Sequence, residues 1–403
     1  MTLWQKMVGY LSRAIGLTGP AGWTREAGAS HSGEQVNAGS ALSLSAVWAC
    51  VNLLAGTMAS LPIVVYRTDE RGNRAVAKDH WAYRLLHDSP NADQTAVDFW
   101  EGAFASLELK GNAVADLTWS DDRRRVLALT PIAWDALSVA RDRDGELIYR
   151  WADQTRRQAD VLHIRGFGGA PEGGLSTLSY ARHAFGLATA IDKAAGQMFG
   201  NGVRPSGLLK FDKWLTPEQA SIAETRMKEN FVGSMNAGKP MVLEGGVTWQ
   251  QLTINPEDAQ MLQSRGFSIE EQCRFFGVPP FMIGHNEKSS GYPTSLEQQV
   301  LTFQKFALRR RLKRAEQAME KQLLTPADRA AGITIEYNLE GLLRGDSAAR
   351  SAFYQSALTN GWMTINEVRA LENMLPVTGG DVPRMQMQNV PITQAGRVEE
   401  VRA

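Results

Sequence analysis

Apolar residues recur at three- and four-residue spacing over Leu44, Val47, Trp48, Val51, Leu54 and Met58. That spacing predicts a helix opening at Ser43 and ending at Pro62. Ile63-Val64-Val65-Tyr66 follows as a strand, then a charged turn at Gly72. A second helix is predicted over Ala96–Leu109 and a strand over Ala113–Trp119. Strands at Ala136–Ala140 and Leu147–Trp151 are joined by Arg143-Asp144-Gly145, a pair of strands and a turn that together read as a hairpin, since Asp-Gly readily takes positive φ. Val161–Ile164 adds a further strand. The first half is therefore α+β.

The pattern changes at Leu175. Leu178, Ala181, Phe185, Ala188, Ile191, Ala195 and Met198 make one apolar stripe near the 3.5-residue period of close helix packing, ending at Gly200-Asn201-Gly202. A small module comes next, with a strand at Gly207–Phe211, a helix opened by Thr216-Pro217-Glu218, and strands near Met241–Leu243 and Thr248–Leu252. A second long helix begins after Asn255-Pro256 and carries Leu262, Ile269, Cys273 and Phe276 at similar spacing. Phe276-Gly277-Val278-Pro279-Pro280 breaks it, and a polar loop spans His285–Pro293. A long helix over Thr294–Leu324, a strand at Ile333–Tyr337 and helices at Asp346–Asn360 and Thr364–Met374 complete the order. Thr18–Ser40 reads as a flexible lead-in and the last stretch as a disordered tail. Met1–Leu17, with Trp4, Met7, Val8, Leu11 and Ile15 at helical spacing, reads as an amphipathic docking helix.

The 403 residues are enough for two or three domains. Basic and acidic residues balance at 43 each, so any DNA contact must be local, weak, or both. Cys50 and Cys273 sit in apolar helical patterns and read as reduced core residues, with no disulfide framework and no zinc spacing. No run of apolar residues is long enough to span a membrane.

Candidate chemistry is sparse. Gly166–Gly174 lies between a strand and a helix, where a dinucleotide loop would sit, but Pro171 stands where the third glycine should be. A nucleotide-dependent enzyme built on that loop remains the alternative reading. No phosphate-binding loop of the ATPase type occurs. His163 reads as a structural histidine, and His285 and Glu287 lack an orienting partner. Arg309-Arg310-Arg311 with Lys313 and Arg314 is the densest basic patch. Consecutive helical residues diverge, so it reads as a solvated or interface-lining ring and not as one phosphate-binding face.

The order of these elements resembles a bacteriophage portal protein of the HK97 type from Ser43 through Met374. The resemblance is carried by Ser43-Leu44-Ser45-Ala46-Val47-Trp48-Ala49-Cys50-Val51 leading to Leu61-Pro62, by Gly174-Leu175-Ser176, Phe199-Gly200-Asn201-Gly202 and Pro205-Ser206-Gly207, and above all by Phe276-Gly277-Val278-Pro279-Pro280-Phe281-Met282-Ile283-Gly284. It implies a portal-type α+β fold assembling as a dodecameric ring. Residues 1–42 would be a flexible N-terminal segment, 43–173 a mixed wing, 174–202 and 255–276 two stem helices, and 203–254 a small α/β clip. Residues 277–345 would return to the wing, with a tunnel loop at 285–293 and the long helix at 294–324; 346–375 would form a helical crown and 376–403 a tail. Carried over, Asn286, Lys288, Ser289, Ser290 and Tyr292 of the tunnel loop would lie nearest double-stranded DNA, without sequence preference. Lys213, Lys228 and Lys239 of the clip would dock the terminase large subunit and later the head–tail adaptor. Leu178, Phe185, Ile191, Leu262 and Ile269 would form lateral seams between neighbouring copies. The implied protein is a non-catalytic virion component at the capsid portal vertex, contacting the major capsid protein and assembled in the host cytoplasm, with no cofactor, metal or membrane. Another ring-forming virion component is a third reading.

Overall fold

The computed structural model describes residues 28–200, 207–211, 216–218, 221–222, 225, 247–251, 256–285, 299–339, 347–372 and 374–383. The chain divides into two compact units, Met1–Glu336 and Tyr337–Ala403.

Order begins earlier than the predicted lead-in allows. Strands β1 (Gly28–Ala29) and β2 (Gln35–Val36) pair antiparallel, and helix α1 (Ala38–Leu42) is closed by a reciprocal capping box between Asn37 and Ser40. Gly33, in the turn between β1 and β2, takes positive φ. Helix α2 (Ser45–Ala59) buries Val47, Cys50, Val51, Leu54 and Met58, whereas Trp48, counted into the predicted stripe, is 58% exposed. Strands β3 (Ile63–Thr68) and β4 (Arg74–Val76) form the hairpin around Gly72. Helix α3 (Trp81–His87) buries Ala82, Leu85 and Leu86 but, at 7 residues, is too short to register as periodic. Helix α4 (Ala96–Lys110) starts at a Thr95–Asp98 capping box and stops at Gly111, whose φ is +72°.

Strands β5 (Asn112–Trp119) and β6 (Val126–Ile132) run antiparallel. The second was not legible, because Pro131 and only two buried side chains, Val126 and Leu129, blur its alternation. A meander follows: β7 (Ser138–Arg141), β8 (Leu147–Trp151) and β9 (Gln154–Arg157), the first two turning at Gly145 with φ +86°. β10 (Val161–Arg165) pairs with the other edge of β5, giving the order β10-β5-β6. Val114, Trp134, Leu137, Leu147, Tyr149 and Val161 fill the core between this sheet and the meander.

Long helix α5 (Thr177–Gly200) comes next, then the antiparallel pair β11 (Gly207–Phe211) and β12 (Val247–Gln251). Pro217 and Glu218 are helical, as the Thr-Pro-Glu signal predicts. The strand expected near Met241–Leu243 lies outside the described residues. Helix α6 (Pro256–Phe276) follows. The long helix before Leu324 is described from residue 299 and is not uniform: Gln304–Leu308 form a π turn, after which α7 (Arg309–Leu323) continues. Short helix α8 (Pro326–Ala330), opened by a Thr325–Asp328 capping box, leads to β13 (Ile333–Tyr337), which joins the β13-β3-β4 sheet.

In the second unit, helices α9 (Ser347–Thr359) and α10 (Ile365–Leu371) are followed by a turn at residues 378–381 that folds back on α10. The Asn366 amide donates to the Val377 carbonyl at 3.0 Å and to Asp381 at 2.9 Å. The disordered tail predicted from residue 376 therefore starts too early. One buried amide supplies the bonds that hold a stretch whose Met374, Leu375, Val377 and Val382 side chains stay exposed.

Candidate functional site

The two longest helices build the feature that the sequence singles out. Ser176 Oγ accepts the Ser179 N–H at 3.3 Å and opens α5. Leu178, Ala181, Phe185, Ala188 and Ala195 then face inward. The Phe185 ring stacks on Phe276 of α6 at 6.2 Å and meets Phe275 edge-on at 5.9 Å. Gly277, at φ +65°, ends α6, and the Val278 N–H closes the turn onto the Cys273 carbonyl. Cys50 of α2 and Cys273 of α6 are both buried and free, with sulfurs 3.9 Å apart. Donation to Cys273, then burial, holds the Cys50 thiol above its ordinary range.

Leu178 and Phe185, expected at seams between copies, are thus sealed inside the chain's own core. Ile191 and Ile269 are half-buried and line one small cavity with Leu44 and Ala46 of the same chain. The side chain of Leu262 lies outside the described residues. A 3.5-residue stripe predicts that something buries it; here α6, α4, α1 and the β1–β2 hairpin of the same chain pack against α5, and no second copy is needed. The β1–β2 hairpin covers another face of α5. A Cβ on Gly186 would fall on Ser30 Oγ, the His31 and His183 rings stack at 3.6 Å, and Lys193 pairs with Glu34 at 2.6 Å.

The basic run separates as helical geometry demands. Arg311 points inward and grips Glu108 of α4 with Nε to Oε1 at 2.6 Å and Nη2 to Oε2 at 2.9 Å. The same guanidinium donates to the Phe276 carbonyl at the end of α6 (2.7 Å) and to the Ala307 carbonyl in the π turn (2.9 Å). This buried clamp corrects the expectation of a uniformly solvated ring of charge. Lys313 turns aside to Glu316 at 2.9 Å. Arg310 and Arg314, four residues apart, share the remaining face, and among the described residues neither makes a salt bridge.

That face borders two clefts. One, of about 450 Å³, is lined by Phe167, Leu175, Tyr180, Phe275, Arg310 and Arg314, among others. The other, of about 460 Å³, lies between Pro279 and Phe306 and shares Arg310. Around them Phe306 is 71% exposed, Phe167 67%, Tyr180 52% and Phe275 40%. Four exposed aromatics around two unpaired arginines form a patch of the kind that marks an interaction site. The sequence reading missed it, although the Phe306, Arg310, Arg314 spacing was a usable signal.

The glycine run is structural. A Cβ on Gly174 would strike the Gly111 carbonyl, one on Gly111 the Leu175 carbonyl, and one on Gly166 the Gly111 backbone. Asn112 holds Gly174 from both sides: its Oδ1 accepts the Gly174 N–H at 2.7 Å and its amide donates to the Gly174 carbonyl at 3.1 Å. The glycines serve close backbone contact and not a phosphate cradle. His163 belongs to the same network. Its Nε2–H donates to Asn112 Oδ1 at 2.9 Å, while Nδ1 accepts from the Tyr149 hydroxyl at 3.1 Å, which in turn accepts from Arg165 at 3.0 Å. Burial, then the nearby Arg165 charge, holds this imidazole well below its ordinary pKa, so it is neutral.

Asn286, Lys288, Ser289, Ser290 and Tyr292 lie outside the described residues, as do Lys213, Lys228, Lys239 and the Met1–Leu17 segment. Among the described residues no group of three or more His, Cys, Asp or Glu could hold a metal ion. No helix among them is long and apolar enough to cross a membrane.

Comparison with known proteins gives a consistent result. The family model described as phage portal protein matches residues 45–373. The portal protein of Enterobacteria phage HK97 is 36% identical over 369 residues, covering 90% of this chain and 86% of that protein. The probable portal protein of Streptomyces phage phiC31 is 32% identical, covering 87% and 78%. Among solved structures, a chain from the virion of a native gene transfer agent particle aligns with a TM-score of 0.60 at 22% identity, covering 83% and 91%. An HK97-family portal protein from Corynebacterium diphtheriae aligns at 0.53 with 15% identity, covering 78% and 100%. The mixed α+β fold expected from the sequence is the fold these structures share.

Proposed function

The chain belongs to the phage portal protein family, and from that membership we propose that identical copies close into a ring through which double-stranded DNA enters and leaves a capsid. The observation that carries this reading is the family match over residues 45–373, which embraces both long helices and everything between them. A related neck structure was computed with C12 symmetry, and twelve copies are carried over from it as part of the proposal. A ring of this kind is a conduit and a docking platform and does no chemistry. Each neutralised phosphate adds affinity and drag, so a subunit with equal basic and acidic residues suits sliding DNA.

In this reading α5 and α6 are the stem, the β11–β12 module is the clip, and residues 285–293 form a loop in the channel. Asn286, Lys288, Ser289, Ser290 and Tyr292 then contact DNA without sequence preference. Lys213, Lys228 and Lys239 dock the terminase and afterwards the head–tail adaptor. The major capsid protein surrounds the ring in the virion. The backbone packing of Gly111, Gly166 and Gly174 speaks against the nucleotide-dependent alternative.

Negative-stain images of purified protein test the ring: closed rings with a central hole are expected, and a population of isolated monomers at high concentration overturns it. Replacing residues 286–292 by glycine should impair packaging while rings persist; unimpaired packaging removes the loop's role. Thermal melts with NAD, FAD and ATP are expected to be superimposable, and a raised midpoint with any of them revives the enzyme.

A further inference from the structure

The chain has two cysteines, and the fold brings them face to face. Cys50 lies in the middle of α2 and Cys273 in the last turn of α6, 223 residues further along, with their sulfurs 3.9 Å apart. Both side chains are shut off from solvent. Their backbones are held in place. Cys50 is flanked by buried Val47, Val51 and Leu54 on its own helix. The Cys273 carbonyl accepts the Val278 N–H at 3.1 Å, and three residues on the Phe276 carbonyl accepts from Arg311 at 2.7 Å. A disulfide bond is about 2.05 Å long, so closing one here moves each sulfur by about 1 Å, the reach of a side-chain rotation with a small backbone adjustment. Beside the pair is a cavity of about 50 Å³, lined by Ala46, one turn before Cys50, and by Ile269 and Gln272, one turn before Cys273 and next to it. Gln272 Oε1 is buried and has no hydrogen-bond partner among the described residues, which makes it an acceptor for a small polar molecule.

We infer that Cys50 and Cys273 are a latent cross-link site, which oxidants of the peroxide class convert into a disulfide stapling α2 to α6 within one copy. The reaction runs in two balanced steps. The Cys273 thiolate attacks one peroxide oxygen, the O–O bond breaks, and the sulfur becomes a sulfenic acid while the departing hydroxide takes up the thiol proton as water. The Cys50 sulfur then attacks the Cys273 sulfur, the S–O bond breaks, and the departing oxygen leaves with the Cys50 proton as a second water. Two thiols and one hydrogen peroxide give one disulfide and two waters. Cys273 reacts first because Cys50 donates its S–H to it, which holds the Cys273 thiol below its ordinary range in spite of burial. The same donation keeps Cys50 protonated until the second step. Only the timing of closure rests on the ring reading. A subunit made in a reducing cytoplasm keeps both thiols while copies assemble, and a particle released from the cell meets oxidising surroundings. The staple then fixes α6 against α2 in the finished particle.

The test is oxidation of the folded, full-length chain by excess hydrogen peroxide, read by non-reducing peptide mapping, thiol titration and thermal melting. The expected product is a linked pair of peptides carrying Cys50 and Cys273, in a chain that still runs as a monomer on a denaturing gel. Both thiols are lost and the midpoint rises by about 5 °C, because a closed loop of this length constrains the unfolded chain, until dithiothreitol restores it. Dimedone, which traps sulfenic acids, should label Cys273 in peroxide-treated C50S and leave Cys50 unlabelled in C273S; the reverse labelling overturns the assigned order of attack. Thiols that stay free while exposed Met374 has become its sulfoxide overturn the inference, as do links formed only between chains. A linked chain whose midpoint does not rise overturns it too. Should a serine variant unfold, the map and melt of the native chain decide. None of these readouts needs a ring, so a chain that staples yet never closes into rings refutes the ring reading alone.

Discussion

Replacing Arg311 with methionine removes a side chain that ties three helices together. Its guanidinium makes two bonds to Glu108, one to the Phe276 carbonyl and one to the Ala307 carbonyl, and both charged groups are buried. Methionine keeps the volume but leaves the Glu108 carboxylate buried and unpaired. Breaking a buried pair from one side costs about 3–5 kcal/mol, much of it the stranded charge. With about 2.1 cal/mol/K of unfolding entropy per residue, a unit running from Met1 to Glu336 shifts about 1.4 °C per kcal/mol, so the midpoint should fall by about 4–7 °C. The double variant E108L/R311M removes both charges and should recover most of that loss, since a buried ion pair replaced by apolar groups is close to neutral. Calorimetry or urea unfolding followed by circular dichroism reads the cycle, with R311M, E108L, the double variant and the native chain side by side. Because the pair is shielded from solvent, the loss should barely change between about 0.1 and 0.5 M salt. A single variant within about 1 kcal/mol of native, or a double variant no better than R311M, would refute the account of Arg311 as a buried clamp.

The buried His163 predicts an acid response. Its pKa is depressed in the fold, so below the unfolded value near 6.5 the unfolded chain binds a proton that the folded chain refuses, and stability falls by about 1.4 kcal/mol per pH unit. The unfolding free energy read from urea titrations should therefore drop further between pH 6.5 and 5 in the native chain than in H163Q; parallel curves would place the proton elsewhere. Phe185→Ala should cost about 3–5 kcal/mol of subunit stability, while Tyr180→Ser should leave the melt unchanged and weaken assembly; a reversed outcome would return the α5 stripe to the seam. Gly174→Ala drives a methyl into the Gly111 carbonyl and should cost at least about 2 kcal/mol in thermal unfolding, an effect a merely flexible connection would not give.

Much of the architecture was legible because it follows from local chemistry. Three- and four-residue apolar spacing placed α2, α4, α5 and α6, Asp144-Gly145 placed the β7–β8 turn, and Gly277 with two prolines placed the end of α6. What stayed illegible lacks a period or depends on a distant partner. β6 has two buried side chains, and α3 and α8 are single short helices. The β1–β2 hairpin holds because Ser30 meets a Cβ-less Gly186 more than 150 residues away.

The amino-acid order by itself determined the long helices α2, α4, α5 and α6, where they stop, and that the stripe beginning at Leu178 must be covered. It could not determine by what, because a hydrophobic period records burial and not the identity of the burying surface. Tertiary packing turned Leu178 and Phe185 toward the chain's own helices and left Tyr180, Phe275 and Phe306 facing outward. It also divided one basic run into a buried clamp at Arg311 and an open pair at Arg310 and Arg314, because successive helical side chains point about 100° apart and only one direction meets Glu108.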